Sequence, residues 1–176
     1  MTKFVNLFGG PSVGKSTIAA ALFVEMKRAG YKVELVTEVA KDYVWEDRQT
    51  TLAIQPYITI KQFRNLARLK GKVDYVITDA PILLGCVYAD LYASHLPASY
   101  KEFILDLHKQ ELDPSVNIVL HRVFEYDETG RYQDKSQAEE IDLAISEVLQ
   151  SNGLRWTSFN PKTTSIDFFM KFVTKD

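Results

Sequence analysis

The run GGPSVGKST at residues 9–17 constrains this chain more than any other stretch, because it fits G-x-x-x-x-G-K-[ST] with Gly9, Gly14, Lys15 and Ser16 at the fixed places. A loop of this kind works only where a strand delivers it and a helix leaves it. The apolar run KFVNLF before it reads as a buried strand and residues 16–28 after it read as a helix, so the required order is present. Glycines let successive backbone N–H groups turn inward around phosphates, and the following helix N-terminus adds partial positive charge. Gly9, Gly10, Pro11, Ser12, Val13, Gly14, Lys15, Ser16 and Thr17 are therefore the expected cradle for a nucleoside triphosphate. Lys15 is expected to reach the β- and γ-phosphates and the Ser16 hydroxyl to take a place on Mg²⁺. A tight turn without a ligand requires neither group.

Composition narrows the rest. At 176 residues, 46% hydrophobic and 25% charged, the chain has the balance of one globular domain with a core of useful size. A net charge of -2 provides no general attraction to nucleic acid, so any polyanion has to be bound by a local basic face. The single Cys86 excludes an internal disulfide and a thiolate zinc cluster. Residues 1–3 lead directly into the first strand, and no apolar run is long enough to span a bilayer. The expectation is a cytoplasmic protein with no membrane contact and no protein partner to be inferred.

Beyond the loop, short apolar strands alternate with helices. Strands are expected at 3–8, 32–37, 75–78, 116–120 and 154–159. Helices are expected at 16–28, from Pro56 to about 70, through about 93, at about 99–112, after a capping box Ser136-x-x-Glu139, and at 164–173. This predicts a single domain over 1–176, an α/β three-layer sandwich with a five-stranded mainly parallel sheet, because crossover helices must cover both faces. Ligands in such sheets gather at the carboxyl ends of the strands.

Asp79 ends the third strand in the manner of a metal-binding carboxylate opposite Ser16. Ala80 stands where a hydrolytic motor carries a water-polarising Glu, and no D-x-x-G or N-K-x-D occurs, so transfer to a bound acceptor is the favoured chemistry. That transfer needs a carboxylate near the acceptor hydroxyl. Glu38, ending a second strand expected to neighbour the first, is one base and Asp79 the other; Asp42 lies a turn beyond Glu38. Residues 122–135 have the composition of a lid, with a hinge at Gly130 and arginines at each end, Arg131 and then Arg122 being candidates to close over the γ-phosphate. Lys61, Arg64, Arg68 and Lys72 form a helical stripe that is either a solvated face or a groove for substrate phosphates. Gln62, with Tyr57 and Phe63, is a candidate to bind a base.

The segments FGGPSVGKSTIAAALFVEMKRAGYKVELVTEVAKDYV, VDYVITDAPILL and GRYQ resemble the small P-loop proteins of tailed phages labelled AAA-domain ATPases, and beyond them the ribosylnicotinamide kinase domain and nucleoside and nucleotide kinases. The resemblance implies a carboxylate base after the second strand and lid arginines on the phosphates, which falls on Glu38 and Arg131. It is similar in style to phage kinases acting on hydroxymethyl-pyrimidines in DNA. No D-R-[YSF] signature follows Asp79. The reading is a Mg²⁺- and ATP-dependent kinase acting on a hydroxyl of a nucleoside, nucleotide or modified-DNA acceptor; the alternative is a P-loop ATPase or nucleotide-dependent switch.

Overall fold

A computed structural model describes residues 1–129 and 131–175, so the hinge expected at Gly130 lies outside the described residues. Five parallel strands, β1 (Lys3–Phe8), β2 (Val33–Val36), β3 (Tyr75–Thr78), β4 (Ser115–Leu120) and β5 (Thr157–Phe159), form one sheet in the order β2-β3-β1-β4-β5. The helices are α1 (Lys15–Arg28), α2 (Val39–Trp45), α3 (Gln49–Leu52), α4 (Gln55–Ala67), α5 (Leu84–Tyr92), α6 (Ala98–Glu111), α7 (Lys135–Ser151) and α8 (Ile166–Thr174).

The central strand explains the layers. Side chains alternate across a strand, so Phe4 and Phe8 face one side of β1 and Val5 and Leu7 the other, all of them buried. Val5 and Leu7 pack with Ile18, Leu22 and Met26 of α1 and with Phe169 and Val173 of α8. Phe4 and Phe8 pack with Leu66, Ile104 and Ile141, from α4, α6 and α7. Helices thus cover both faces, as a parallel sheet requires. The i, i+4, i+8 spacing of Ile18, Leu22 and Met26 makes this face of α1, and each such burial contributes about 1.5–3 kcal/mol. Gly30, at φ 88°, lets the chain turn out of α1.

Two expectations are corrected. β2 lies at the sheet edge, with β3 between it and β1: Lys3↔Tyr75 to Asn6↔Thr78 pair β1 with β3, and Val33↔Tyr75 to Val36↔Thr78 pair β2 with β3. The burial patterns give the reason, since β2 is half-exposed at Glu34 and Leu35 whereas β3 is buried from Val76 to Thr78. The cap of α7 is also displaced. Asp134 accepts from the Gln137 N–H at 2.9 Å and the Gln137 side chain accepts from the Asp134 N–H at 3.0 Å, a capping box two residues before the one expected at Ser136 and Glu139. Among the described residues, no helix is long and apolar enough to cross a membrane.

Candidate active site

The loop after β1 closes on itself. Lys15 Nζ donates to the Gly9 and Gly10 carbonyls at 2.7 and 2.8 Å, so the ammonium lies inside the curve of residues 9–14. Gly14, at φ 93°, occupies the N-cap position of α1 and takes a left-handed conformation that favours glycine. Gly10 is demanded by packing: a Cβ there would meet the Ala138 carbonyl at 2.5 Å. Its N–H donates to Asp142 Oδ1 at 2.5 Å, which ties the loop to α7.

Asp79, at the carboxyl end of β3, reaches the loop from the neighbouring strand. Its Oδ2 accepts from the Ser16 hydroxyl at 2.6 Å, while its Oδ1 is buried without a protein partner. No helix begins at Asp79, since α5 starts at Leu84, so this carboxylate is not a helix cap. A hydroxyl and a carboxylate with an unused buried oxygen are an oxygen donor set that fits Mg²⁺, whose remaining positions are ordinarily filled by phosphates and water.

Glu38 also enters the site, although β2 is an edge strand. It occupies the N-cap position of α2 but its side chain makes no cap hydrogen bond. Burial raises its carboxyl pKa above the ordinary value; Lys15 opposes this, Asp79 adds to it, and Arg131 and Lys41 oppose it. Burial likewise lowers the Lys15 pKa, with Glu38 and Asp79 acting against the loss of charge. Glu38, Lys15, Lys41 and Arg131 line one small cleft together with Pro11 and Tyr88. Arg131 Nε is buried there without a partner.

Arg122 stands elsewhere than the free lid position expected of it. Its Nε donates to Asp142 Oδ2 at 2.7 Å, its Nη1 to the Pro11 carbonyl at 2.9 Å and its Nη2 to the Ala138 carbonyl at 3.2 Å. All three guanidinium nitrogens thus donate to α7 or the loop backbone, and the ion pair is largely buried, with side chains 14% and 26% exposed. The segment between Arg122 and α7 has no regular structure in its described residues and lies against the loop, with the Asp127 N–H donating to Ser12 Oγ at 3.0 Å.

Beside Glu38 opens a cavity of about 310 Å³, walled by residues of α2 to α5, the turn after Asp79, and Tyr132, Gln133 and Gln137. Sequence reasoning missed it, because its wall comes from five separate segments. Tyr88, Tyr92 and Tyr132 line it, and among the described residues Glu38 is the one charged group in that lining. Of the substrate candidates, only Gln62 borders this space. Asp42, Arg64 and Arg68 are exposed. The 3.6-residue period explains the division: Thr59, Gln62 and Leu66 form the buried face of α4, which directs Arg64 and Arg68 to the opposite side. Lys61 donates to the Tyr43 hydroxyl at 2.5 Å, and Phe63 packs against the core that holds Leu66.

Comparison with known proteins agrees with this frame. No curated protein matches the chain in sequence. Among solved structures, NadR protein in complex with NR superimposes with TM-score 0.66 at 16% identity over 99% of this chain, and NadR protein in complex with NAD and AMP-PNP with TM-score 0.63 at 16% identity over 99%. The chain spans only about half of those proteins, 52% and 50% respectively. Deoxyadenosine kinase from M. mycoides with bound dATP superimposes with TM-score 0.57 at 16% identity, covering 99% of this chain and all of that one. The fold is thus that of P-loop kinases, and with the AAA domain model matching residues 4–165, the chain belongs to the AAA domain family.

Proposed function

We propose that this protein transfers the γ-phosphoryl group of ATP, with Mg²⁺, to a hydroxyl of a free nucleoside-type acceptor. The observation that carries this reading is the place of Glu38, which lines both the cleft holding Lys15 and Arg131 and the apolar cavity beside it. One carboxylate thereby stands between a donor site and a space of acceptor size. AMP-PNP and dATP in the similar structures are in keeping with a triphosphate in the loop.

Residues 9–17 hold the triphosphate, and Ser16 and Asp79 would hold Mg²⁺, which would supply charge neutralisation for the transferring phosphoryl group. Lys15 leaves the Gly9 and Gly10 carbonyls for the phosphate oxygens. The acceptor oxygen attacks phosphorus, the bond from phosphorus to the β-phosphate oxygen breaks, and ADP leaves with its electron pair. Glu38 takes the hydroxyl proton, a role for which its raised pKa suits it, since a base titrating nearer neutrality holds a transferred proton better. Arg131 neutralises the charge spread over the transferring group. Arg122 acts through the loop, whose Pro11 carbonyl it holds.

The cavity also selects among acceptors. With Glu38 as the one charged residue in its lining, it offers no cation to a phosphate, and a phosphate there would face a carboxylate. Arg64 and Arg68, expected on either a solvated face or a groove for substrate phosphates, are exposed and outside that lining. The favoured acceptor is uncharged and free rather than a modified base in DNA. A screen with γ-labelled ATP over nucleosides, nicotinamide riboside, nucleoside monophosphates and hydroxymethylated DNA tests this. Transfer to at least one free nucleoside is expected, with Glu38→Gln lowering the rate about 10²–10⁴-fold while ATP affinity is kept. Absence of acceptor-dependent transfer throughout, with phosphate release unaffected by any acceptor, overturns the proposal in favour of an ATPase or switch.

A further inference from the structure

Gln62 borders the acceptor cavity, where an amide ordinarily suggests recognition of a ring, yet its hydrogen bonds run the other way. It is buried, at 5% exposure, on the inward face of α4. Its Oε1 accepts from the Val39 N–H at 3.1 Å, and its Nε2 donates to the Thr37 carbonyl at 3.3 Å and to Thr78 Oγ1 at 3.4 Å. A primary amide has two N–H donors and a carbonyl with two lone pairs, so both donors and one lone pair are already committed. The reversed amide would set its NH₂ against the Val39 N–H and its oxygen against the Thr37 carbonyl, so only one orientation satisfies these partners.

Those partners have a common meaning. Thr37 and Val39 flank Glu38. Thr78 and Ala80 flank Asp79, and Thr78 Oγ1, besides meeting Gln62, accepts from the Ala80 N–H at 3.1 Å. The β2–β3 ladder ends at the pair Val36↔Thr78, one residue before Thr37 and Asp79. Past that pair, the two chains diverge into α2 and toward α5, and the backbone ladder no longer fixes their separation. The Gln62 amide stands at this gap and bonds to both sides of it.

We infer that Gln62 is a positioning residue that pins the backbone on either side of Glu38 and links it to the turn carrying Asp79, rather than a residue that reads the acceptor. The inference rests on the proposed role of Glu38 as base. A carboxylate at the N-cap of α2 that makes no cap hydrogen bond is not held to its own turn in that way. Its direction is set by the backbone conformation of residues 37–39, which is the conformation Gln62 holds.

Steady-state kinetics on the full chain separate the two roles. Gln62→Met keeps the volume and removes the amide. It is expected to lower kcat by about 10–100-fold, the scale of a misplaced catalytic group, while the KM for acceptor changes less than about threefold. In a Glu38→Gln background, the same substitution is expected to bring no further loss, because the group it positions is gone. Gln62→Glu, which while protonated keeps one acceptor and one donor, is expected to retain more activity than Gln62→Met and serves in its place should the methionine variant not fold. A tenfold rise in acceptor KM at unchanged kcat overturns the inference in favour of acceptor recognition. An equal loss in the Glu38→Gln background overturns it in favour of a general packing role. A second readout is independent of turnover. The Glu38 carboxyl, followed by ¹³C NMR, is expected to titrate closer to its ordinary value in Gln62→Met, and an unmoved titration counts against the inference. If Glu38→Gln alone leaves transfer intact, the base assignment fails and the NMR titration alone judges Gln62.

Discussion

The two halves of the site are built on opposite plans. On the side proposed for the donor, nine consecutive residues form a loop several of whose polar groups pair within the protein: Lys15 on the Gly9 and Gly10 carbonyls, Ser16 on Asp79, the Gly10 N–H on Asp142 and the Pro11 carbonyl on Arg122. On the side proposed for the acceptor, a cavity of about 310 Å³ is walled mostly by apolar and aromatic groups drawn from residues 38 to 137. A triphosphate is the same charged object whatever its acceptor, so a fixed set of charges and amides can be prepared for it. An acceptor ring is recognised mainly by shape and apolar contact, which five segments can adjust separately.

Of the two halves, the prepared one should give the larger effect when attacked. Lys15→Ala removes the ammonium that lies inside the curve of the loop, and loss of such a donor costs about 10²–10³ in turnover. Labelled-ATP transfer would read this, and an unchanged rate would show that the loop is not the donor site. A subtler attack leaves every group that would touch phosphate in place. Asp142→Asn uncouples Arg122 and weakens the bond to the Gly10 N–H, leaving a largely buried guanidinium without its counter-charge. The expected cost is about 1–3 kcal/mol, a fall in Tm of several degrees, with ATP affinity weakened several-fold and acceptor KM unchanged. A loss of acceptor affinity instead would mean that the two halves are not independent.

The acceptor half calls for a gentler probe. Tyr132 lines the cavity yet is 63% exposed, so Tyr132→Ala removes an aromatic wall with little risk to the core. An aromatic contact contributes about 0.5–1.5 kcal/mol beyond its area, so acceptor KM should rise about 3–10-fold while ATP affinity holds. Equal weakening of both would erase the contrast between the halves.

The same contrast explains what could be read from the amino-acid sequence. The loop is contiguous, and its residue types are dictated by one task, so Gly9 to Thr17, the strand before and the helix after were legible at once. Asp79 was legible because an acidic residue closing an apolar strand is a local pattern, and the structure does bring it to Ser16. The edge position of β2 was not, because strand order depends on which strand buries more of both faces. Gln62 shows the limit most clearly. Its side chain and its neighbourhood suggested base recognition, but three bonds to residues 37, 39 and 78, up to 25 positions away, decide what the amide does. Arg122 and Asp142 are twenty residues apart and pair because the end of β4 and the N-terminal half of α7 both lie beside the loop.

The smallest expected effect concerns the group shared by both halves. Glu38 has its pKa raised above the ordinary 4.5, with burial as the main cause and Lys15 opposing. The native state therefore holds this proton more tightly than the unfolded chain, and between 4.5 and the raised folded value it binds more protons. Stability contributed by protonated Glu38 is fully present below 4.5 and is lost as pH rises through the folded pKa. Glutamine carries no such proton. The Tm of Glu38→Gln minus that of the parent should consequently be smallest near pH 4 and grow with pH, levelling once Glu38 is fully ionised. Lys15 tempers the rise, because the ionised carboxylate favours its charged form and the variant loses that attraction. Thermal unfolding from pH 4 to 8 in the absence of ATP measures the difference. A constant gap across this range would mean that Glu38 is hydrated as an ordinary surface carboxylate, and the shared boundary between the donor cleft and the acceptor cavity would then be open to water rather than closed by the protein.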